Sequence, residues 1–297
     1  MNSESTKGEK MKKRILVLGA TGLLGKPVAC ALQREGYQVR VFTRNIQKAQ
    51  AIFDESFEIV AGDLLDDAEL KNAMKDCYGV HISLPTEVEQ KAAELVGAAA
   101  GGLDVKRITF ISGASVAEEN RAFPMIERKL MAEKSIVESG VPFSILCPTW
   151  VMESLPMFVN QGKANTLGKQ PCPYHWVAAE DIAAMVVNAY ADGKGQSERC
   201  VVHGPQAILM HDALTRYCSV FHPQIKSIST MPLWLARALA GIMNDAAFKF
   251  AVQMMVYFEK VGEGNLLPQP GCRLGDPKTT LDEWMLKRKE IQRSSLS

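Results

Sequence analysis

The chain carries almost no excess charge. Its 34 Lys and Arg are matched by 33 Asp and Glu, leaving +1 at pH 7, so neither nucleic acid nor an anionic membrane is an expected partner. It has no C-x-x-C pair and no His/Cys group at zinc spacing, so no metal site is expected. The seven cysteines are odd in number and dispersed, which predicts free thiols in a reducing, cytoplasmic setting. The most apolar late stretch, 231–258, is interrupted by Arg237, Asp245 and Lys249, which excludes a transmembrane helix there. The first residues are polar and lysine-rich with no apolar run. They do not resemble a secretory signal, and a disordered tail over 1–12 is expected. No internal repeat or low-complexity segment is present. With 47% hydrophobic and 23% charged residues, a globular fold with a large core is expected.

What is there begins at residue 15. Four apolar residues, 15–18, read as a buried strand, and Gly19, Gly22 and Gly25 follow at G-x-x-G-x-x-G spacing before an apolar-periodic helix through Val28, Ala29 and Leu32. Strand, glycine turn and helix in this order form the context of a dinucleotide fingerprint. The glycines let backbone approach a pyrophosphate, and the helix N-terminus offers it N–H groups and a partial positive charge. Ala20, Thr21, Leu23 and Leu24 belong to the same turn, and Thr21 adds a hydroxyl.

Further strands are expected over 38–42, 57–61, 80–84, 107–112 and 142–147. They alternate with helices over 46–54, 66–76, 87–100 and 126–138. Six such alternations predict an α/β fold, a doubly wound parallel sheet of the Rossmann type, over 13–150. The end of the second strand lacks an acidic residue. An NAD-selective site places Asp or Glu about 20 residues past the glycines to hold the ribose 2′-hydroxyl. Here Arg44 stands 19 positions after Gly25. A guanidinium binds a 2′-phosphate that a carboxylate repels, so NADP is expected ahead of NAD, with Lys26 and Arg40 adding positive charge. Asp63 follows the third strand, placed either to meet the adenine or to cap the next helix. His81 is read as a strand residue and not a ligand. Ser112 and Ser115 follow the fifth strand, where open α/β sheets bind ligands. Beyond 150, loops and helices (178–189, 207–221, 233–242, 246–260, 281–290) predict a smaller, mainly helical substrate- or partner-side region over 151–297, intertwined with the first. A strand is placed at 200–203.

In order, GATGLLGKPV, VFTRN, GDLLD, KRITFISGAS, KLMAEKSIVESGVPFSILCPTW, HWVAAEDIA and GDPKTTLDEW resemble the atypical short-chain dehydrogenase/reductases, in the NmrA-like and isoflavone-reductase-like branch. The likeness spans about 13–290. It implies that the glycine turn holds the cofactor phosphates and Arg44 the 2′-phosphate, with Asp63 and Leu64 beside the adenine. Leu84, Pro85 and Ser112 would line the nicotinamide ribose, and Pro148 and Thr149 would meet the carboxamide end. Lys129 matches the lysine that the superfamily uses near the nicotinamide ribose and in proton transfer. The tyrosine usual four residues before it is Met125 here, which cannot exchange a proton. Cys147 replaces an arginine often found before the proline that follows the sixth strand; it reads as a buried residue and not a nucleophile.

Trp150, Met152, Met157, Phe158, His175 and Trp176 are the candidate substrate-side wall with Ser115, though each of the six reads equally well as plain core. They favour a small hydrophobic carbonyl, enone or aromatic substrate for an NAD(P)H-dependent reductase, with His175 able to titrate near neutral pH. The resemblance also admits a non-catalytic redox sensor that binds the dinucleotide and acts through a protein partner. A sugar-nucleotide epimerase is disfavoured by the missing tyrosine. Monomer and homodimer both remain open.

Overall fold

The computed structural model describes residues 13–191, 196–263 and 272–294; the expected N-terminal tail lies outside them. In chain order the elements are β1 (Arg14–Leu18), α1 (Gly25–Arg34), β2 (Gln38–Thr43), α2 (Ile46–Gln50), β3 (Glu58–Ala61), α3 (Asp67–Met74), β4 (Gly79–Ile82), α4 (Thr86–Ala100), β5 (Arg107–Ile111), α5 (Pro124–Glu138), β6 (Phe143–Pro148), β7 (Val159–Asn160), β8 (Lys163–Leu167), β9 (Tyr174–His175), α6 (Ala179–Tyr190), β10 (Glu198–Val202), β11 (Ala207–Ile208), α7 (Met210–Phe221), β12 (Ile228–Met231), α8 (Leu233–Ile242), α9 (Ala246–Val261) and α10 (Leu281–Ser294). Short 3₁₀ turns span Glu118–Asn120 and Met152–Phe158.

The chain divides into two units. The first comprises Met1–Pro148, Ala179–Val202 and Gln269–Asp276, and the second the rest. The first unit holds a seven-stranded parallel sheet in the order β10-β6-β5-β4-β1-β2-β3. Its central strands are buried on both faces, which is why β1 reads as a continuous apolar run and not as an alternation, and why β4 is buried throughout even at His81. Leu18 pairs with Phe42 on one side and with Ile82 on the other. One face is covered by α3, α4 and α5, whose Leu70, Met74, Ala93, Val96, Ala132 and Ile136 join Leu16, Ile82, Ile108 and Ile145 in a continuous core. Each such Leu or Ile removed from water contributes about 1.5–3 kcal/mol. α4 approaches α5 closely at Gly97, where a Cβ would stand 2.7 Å from the Ser135 carbonyl oxygen. Right-handed crossovers set α1 on the opposite face, where it packs with α6.

Several expectations change. The seventh strand, β10, comes from beyond residue 150 and pairs in parallel with β6, Val202 beside Pro148. Its apolar pattern is visible in sequence, but its partner strand is not. Cys200 on β10 is disulfide-bonded to Cys272. Seven free thiols are therefore wrong, and the cysteine count no longer argues for a reducing compartment. The two sulfurs stand 72 residues apart, a pairing that spacing does not disclose. Asp66 and not Asp63 caps α3, accepting from the N–H groups of Ala68 and Glu69 at 2.9 and 3.0 Å. The helix expected over 46–54 stops at Gln50.

The second unit is less purely helical than expected. β7 and β8 form an antiparallel pair, β12 adds in parallel to β8, and β9 pairs with β11. Residues 207–208, read as helix, are the strand β11, and α7 begins at Met210. The unit's core gathers Trp150, Leu155, Tyr174, Trp176, Met210, Leu214 and Trp284. No helix among the described residues is long and apolar enough to cross a membrane.

His81 is fully buried in β4. Its Nδ1 shares a 2.8 Å hydrogen bond with the Thr109 hydroxyl, which shares another of 2.8 Å with Tyr190. Burial pulls its pKa down from 6.5 to about 3. The unfolded chain takes up this proton as pH falls through 6.5, while the folded chain does not until about 3. The stability is therefore present above 6.5 and lost between those two values, by up to about 1.4 kcal/mol per pH unit. His81→Gln should flatten that part of the pH–stability curve, as read by urea unfolding across the window. An unchanged slope would assign it to other groups.

Candidate active site

In a sheet with all strands parallel, every C-terminal strand end faces one edge. The order reverses between β1 and β4, and the glycine turn sits at this switch point, where open α/β sheets take ligands. Gly19 has φ +84°, and a Cβ on it would stand 2.0 Å from the Ser83 carbonyl oxygen. Only glycine fits a left-handed residue pressed this closely on the neighbouring strand end. A Cβ at Gly25 would reach to 2.2 Å from the Gly19 carbonyl oxygen, so the third glycine lets α1 close on β1. Within the turn, the Gly22 N–H donates to the Gly19 carbonyl at 2.9 Å. Leu24 is the N-cap of α1, and it supplies no side-chain cap. The N–H groups of Thr21, Leu23 and Leu24 find no acceptor among the described residues. Unsatisfied donors and the positive end of the helix dipole converge there, as an anion site requires.

The end of β2 presents Arg44, exposed and with no ion-pair partner among the described residues. It is followed by Asn45, whose Oδ1 caps α2 through the Lys48 N–H at 2.8 Å. Arg40 is not available beside it, contrary to expectation. Its guanidinium is buried, donating to the carbonyls of Ala73 (2.6 Å) and Lys75 (2.9 Å) and pairing with Glu58 at 2.9 Å. Asp63 and Leu64 are half-buried after β3. One Asp63 carboxylate oxygen accepts from the Leu65 N–H at 3.0 Å, and the Asp63 N–H donates to Glu69 at 2.7 Å. Leu84 and Pro85 follow β4, with Pro85 as the N-cap of α4.

Lys129 lies on α5 one turn beyond Met125, on the same helix face. Its Nζ is 2.7 Å from Glu89 Oε2, and Glu89 is fully buried on α4. Burial raises the Glu89 carboxyl above the ordinary glutamate range, with the Lys129 charge and hydrogen bond opposing. A second buried carboxylate, Glu133, lies one turn further along α5. It accepts from the Ser112 hydroxyl and pairs with Arg199 of β10 at 2.8 Å. The Ser112 side chain, expected near the nicotinamide ribose, thus points to α5. Ser115 is buried, and its carbonyl accepts from the Asn120 side chain at 2.9 Å. The Pro148 carbonyl accepts from the Ala114 N–H at 2.9 Å. Cys147 is fully buried and its thiol is pushed up to about 12 by burial, which excludes a thiolate nucleophile at neutral pH.

The remaining candidates belong to the second unit. The Thr149 hydroxyl donates to the His175 carbonyl. Trp150 meets Tyr174, Trp176, Phe158 and Phe258 ring to ring at 5.1–6.2 Å. Met152 and Trp176 are each only 1% exposed, and the Trp176 indole N–H donates to the Ile208 carbonyl at 3.0 Å. Both are packed in this unit's core, whereas Phe158 is half-buried and Met157 is exposed. His175 Nδ1 lies 2.7 Å from Glu263, beside the ring of His203. Burial holds His203 below the ordinary histidine range, with His175 adding to the effect.

The sequence pattern of the NmrA-like family matches residues 11–224. The chain belongs to the NmrA-like family. Among characterised relatives, the NAD(P)H azoreductase of Xenophilus azovorans is 25% identical over 249 residues, covering 78% of this chain and 85% of the relative. The NADPH-dependent quinone oxidoreductase of Escherichia coli, solved with NADPH, superposes with a TM-score of 0.72 at 21% identity, covering 92% of this chain and 99% of that one. The triphenylmethane reductase of Citrobacter sp., solved with NADP(H), superposes with a TM-score of 0.73 at 16% identity, covering 93% and 99%. At these identities the superpositions establish a shared fold.

In this NmrA-like chain, Glu89 and Glu133 are the residues that sequence reading passed over. Glu89 carried a signal. It stands at helical spacing from Ala92, Ala93, Val96 and Ala100, all buried, and a charge inside an apolar stripe implies a partner. Removing that partner's answer is expected to be costly. Glu89→Ala leaves the Lys129 ammonium, 13% exposed, without a counter-ion and should cost about 3 kcal/mol. The double change Glu89→Leu with Lys129→Met should recover most of this. Equal losses in urea unfolding would assign the effect to packing alone.

Proposed function

We propose that this chain is an NADPH-dependent reductase of a small, hydrophobic carbonyl, enone or aromatic acceptor. The observation that carries the cofactor part is the open glycine turn. Its backbone donors lack acceptors among the described residues at a helix N-terminus, and Arg44, with no ion-pair partner among them, stands where an NAD-selective site has a carboxylate. Gly19 to Gly25 would take the pyrophosphate through those donors, and Arg44 the 2′-phosphate through paired hydrogen bonds. Asp63 and Leu64 are assigned to the adenine end. Leu84, Pro85 and Pro148, after β4 and within β6, are assigned to the nicotinamide end, with Ser112 contributing main chain only. When bound, a reduced nicotinamide supplies a hydride; the chain must then provide or conduct the accompanying proton. Met125 cannot donate it. Lys129, held by Glu89 through a 2.7 Å hydrogen bond, is assigned that role, with Glu89 fixing the ammonium. The azo and quinone reductases among the relatives support a flat, apolar electron acceptor.

The second reading, a dinucleotide-binding sensor without turnover, is favoured by one observation: the Lys129 ammonium is already committed to a buried carboxylate. The two readings separate in a pair of measurements. Calorimetry should show NADPH binding more tightly than NADH. Arg44→Asp should weaken NADPH by about 10–100-fold, about 1.4–2.7 kcal/mol, and leave NADH within a few-fold. Equal affinities in the wild type would overturn the NADP assignment. NADPH oxidation across a panel of quinones, azo dyes and enones should be measurable. Lys129→Ala should lower it by about 10²–10⁴-fold while NADPH affinity stays within a few-fold. Tight NADPH binding with no oxidation by any acceptor would favour the sensor.

A further inference from the structure

We infer that His175, His203 and Glu263 form a divalent-metal site in the second unit, suited to an ion of the zinc class. The three residues come from separate parts of the chain: the end of β9, the residue after β10, and the turn after α9. No spacing rule links them, yet one ligand atom from each lies within 4.8 Å of the other two.

The backbone brings them together by two glycine-dependent close approaches. Gly204 lies so near the strand carrying His175 that a Cβ on it would stand 1.6 Å from the Trp176 carbonyl oxygen. The Gly204 N–H also donates to the His175 carbonyl at 3.3 Å. This sets the two imidazoles edge to face, with centroids 5.1 Å apart. Gly262, at φ +60°, turns the chain after α9, and Glu263 then reaches back to His175. One Glu263 oxygen accepts from the His175 backbone N–H, and the other lies 2.7 Å from His175 Nδ1. The carboxylate is thereby held in place by main chain as well as side chain.

The donor set points to a cation. Two imidazoles and one carboxylate are three protein ligands of a kind that binds Zn²⁺ and leaves a position for water or substrate. Imidazole nitrogen also suits Co²⁺, a spectroscopic stand-in. His203 Nε2 is buried with no hydrogen-bond partner among the described residues, and a buried polar atom of this kind calls for a water or an ion. Metal–ligand bonds of about 2.0–2.2 Å put neighbouring ligand atoms about 3.3–3.6 Å apart. No pair need close by more than about 1.5 Å from the 4.8 Å within which all three lie, and the His175–Glu263 pair, at 2.7 Å, must open slightly, both within the reach of side-chain rotation. The other cluster of possible ligands, Glu198, Cys200 and Cys272, has both sulfurs in the disulfide and does not compete. This site is independent of the cofactor assignment, and it is tested without nucleotide.

The full chain, stripped with a chelator, is titrated with Co²⁺ and followed by its visible d–d absorption, and with Zn²⁺ by calorimetry. One equivalent should bind, with intense bands of low-coordinate cobalt. His203→Ala and Glu263→Gln should each weaken binding by more than the ~10–100-fold that loss of an outer-shell partner costs. His211→Ala, on α7, should leave it unchanged. Circular dichroism on each variant in chelator checks folding. Wild-type crystals soaked in Zn²⁺ give a second readout that needs no variant: an anomalous peak bonded to all three residues. Absence of stoichiometric binding, equal affinity in folded His203→Ala and Glu263→Gln, or an anomalous peak elsewhere would overturn the site and leave His175 and Glu263 as an ion pair alone.

Discussion

The close contact of Gly19 with the end of β4 is the constraint on which the first unit depends. A residue at φ +84° with the Ser83 carbonyl where its Cβ would be tolerates no side chain. Through it β1 can turn at once into α1, and Gly25 lets that helix close on the strand. Strand, turn and helix then meet at the point where the sheet reverses its winding. Backbone donors are left facing outward there, because an N-cap leucine cannot take them up. The same geometry that packs the sheet thus creates the candidate cofactor cradle.

A second theme is charge carried into the interface between α4 and α5. Glu89 enters it from α4 and is answered by Lys129, while Glu133, one turn further along α5, faces the sheet and is answered by Arg199 with the Ser112 hydroxyl. Isolated, either carboxylate would be neutralised or expelled. Paired, they hold α5 in one register against the strand ends. Lys129 lacks its customary tyrosine neighbour in this chain, but it is not a loose side chain. Its direction is set from the opposite helix.

The fold was largely legible in the residues. Strands buried on both faces announce themselves as runs such as Ile15 to Leu18, and helices by their apolar period, so most elements up to β6 lie close to where they were expected. What failed was long-range pairing. β10 has a recognisable pattern, but nothing local says that it belongs beside β6. Cys200 and Cys272 carry no mark of being partners, and Arg40 looked like cofactor charge until its carbonyl acceptors came into view. The glycine turn's geometry and the position of Arg44 at the end of β2 were readable because both are local. Glu89, Glu133 and the convergence of His175, His203 and Glu263 were not, since each depends on elements distant in sequence.

The sheet's outermost strand also bears on how the chain is made. β6 is finished at Pro148, but its hydrogen-bonding edge is not covered until β10 arrives some 50 residues later, with the second unit's first segment in between. A chain emerging from synthesis therefore carries an exposed parallel edge through that interval, open to another chain's strand. A fragment cut after residue 150 would keep that edge permanently and would lack α6, which packs on α1. The first unit is for this reason contiguous in space and discontinuous in sequence, and it is a poor candidate for excision as a free-standing module.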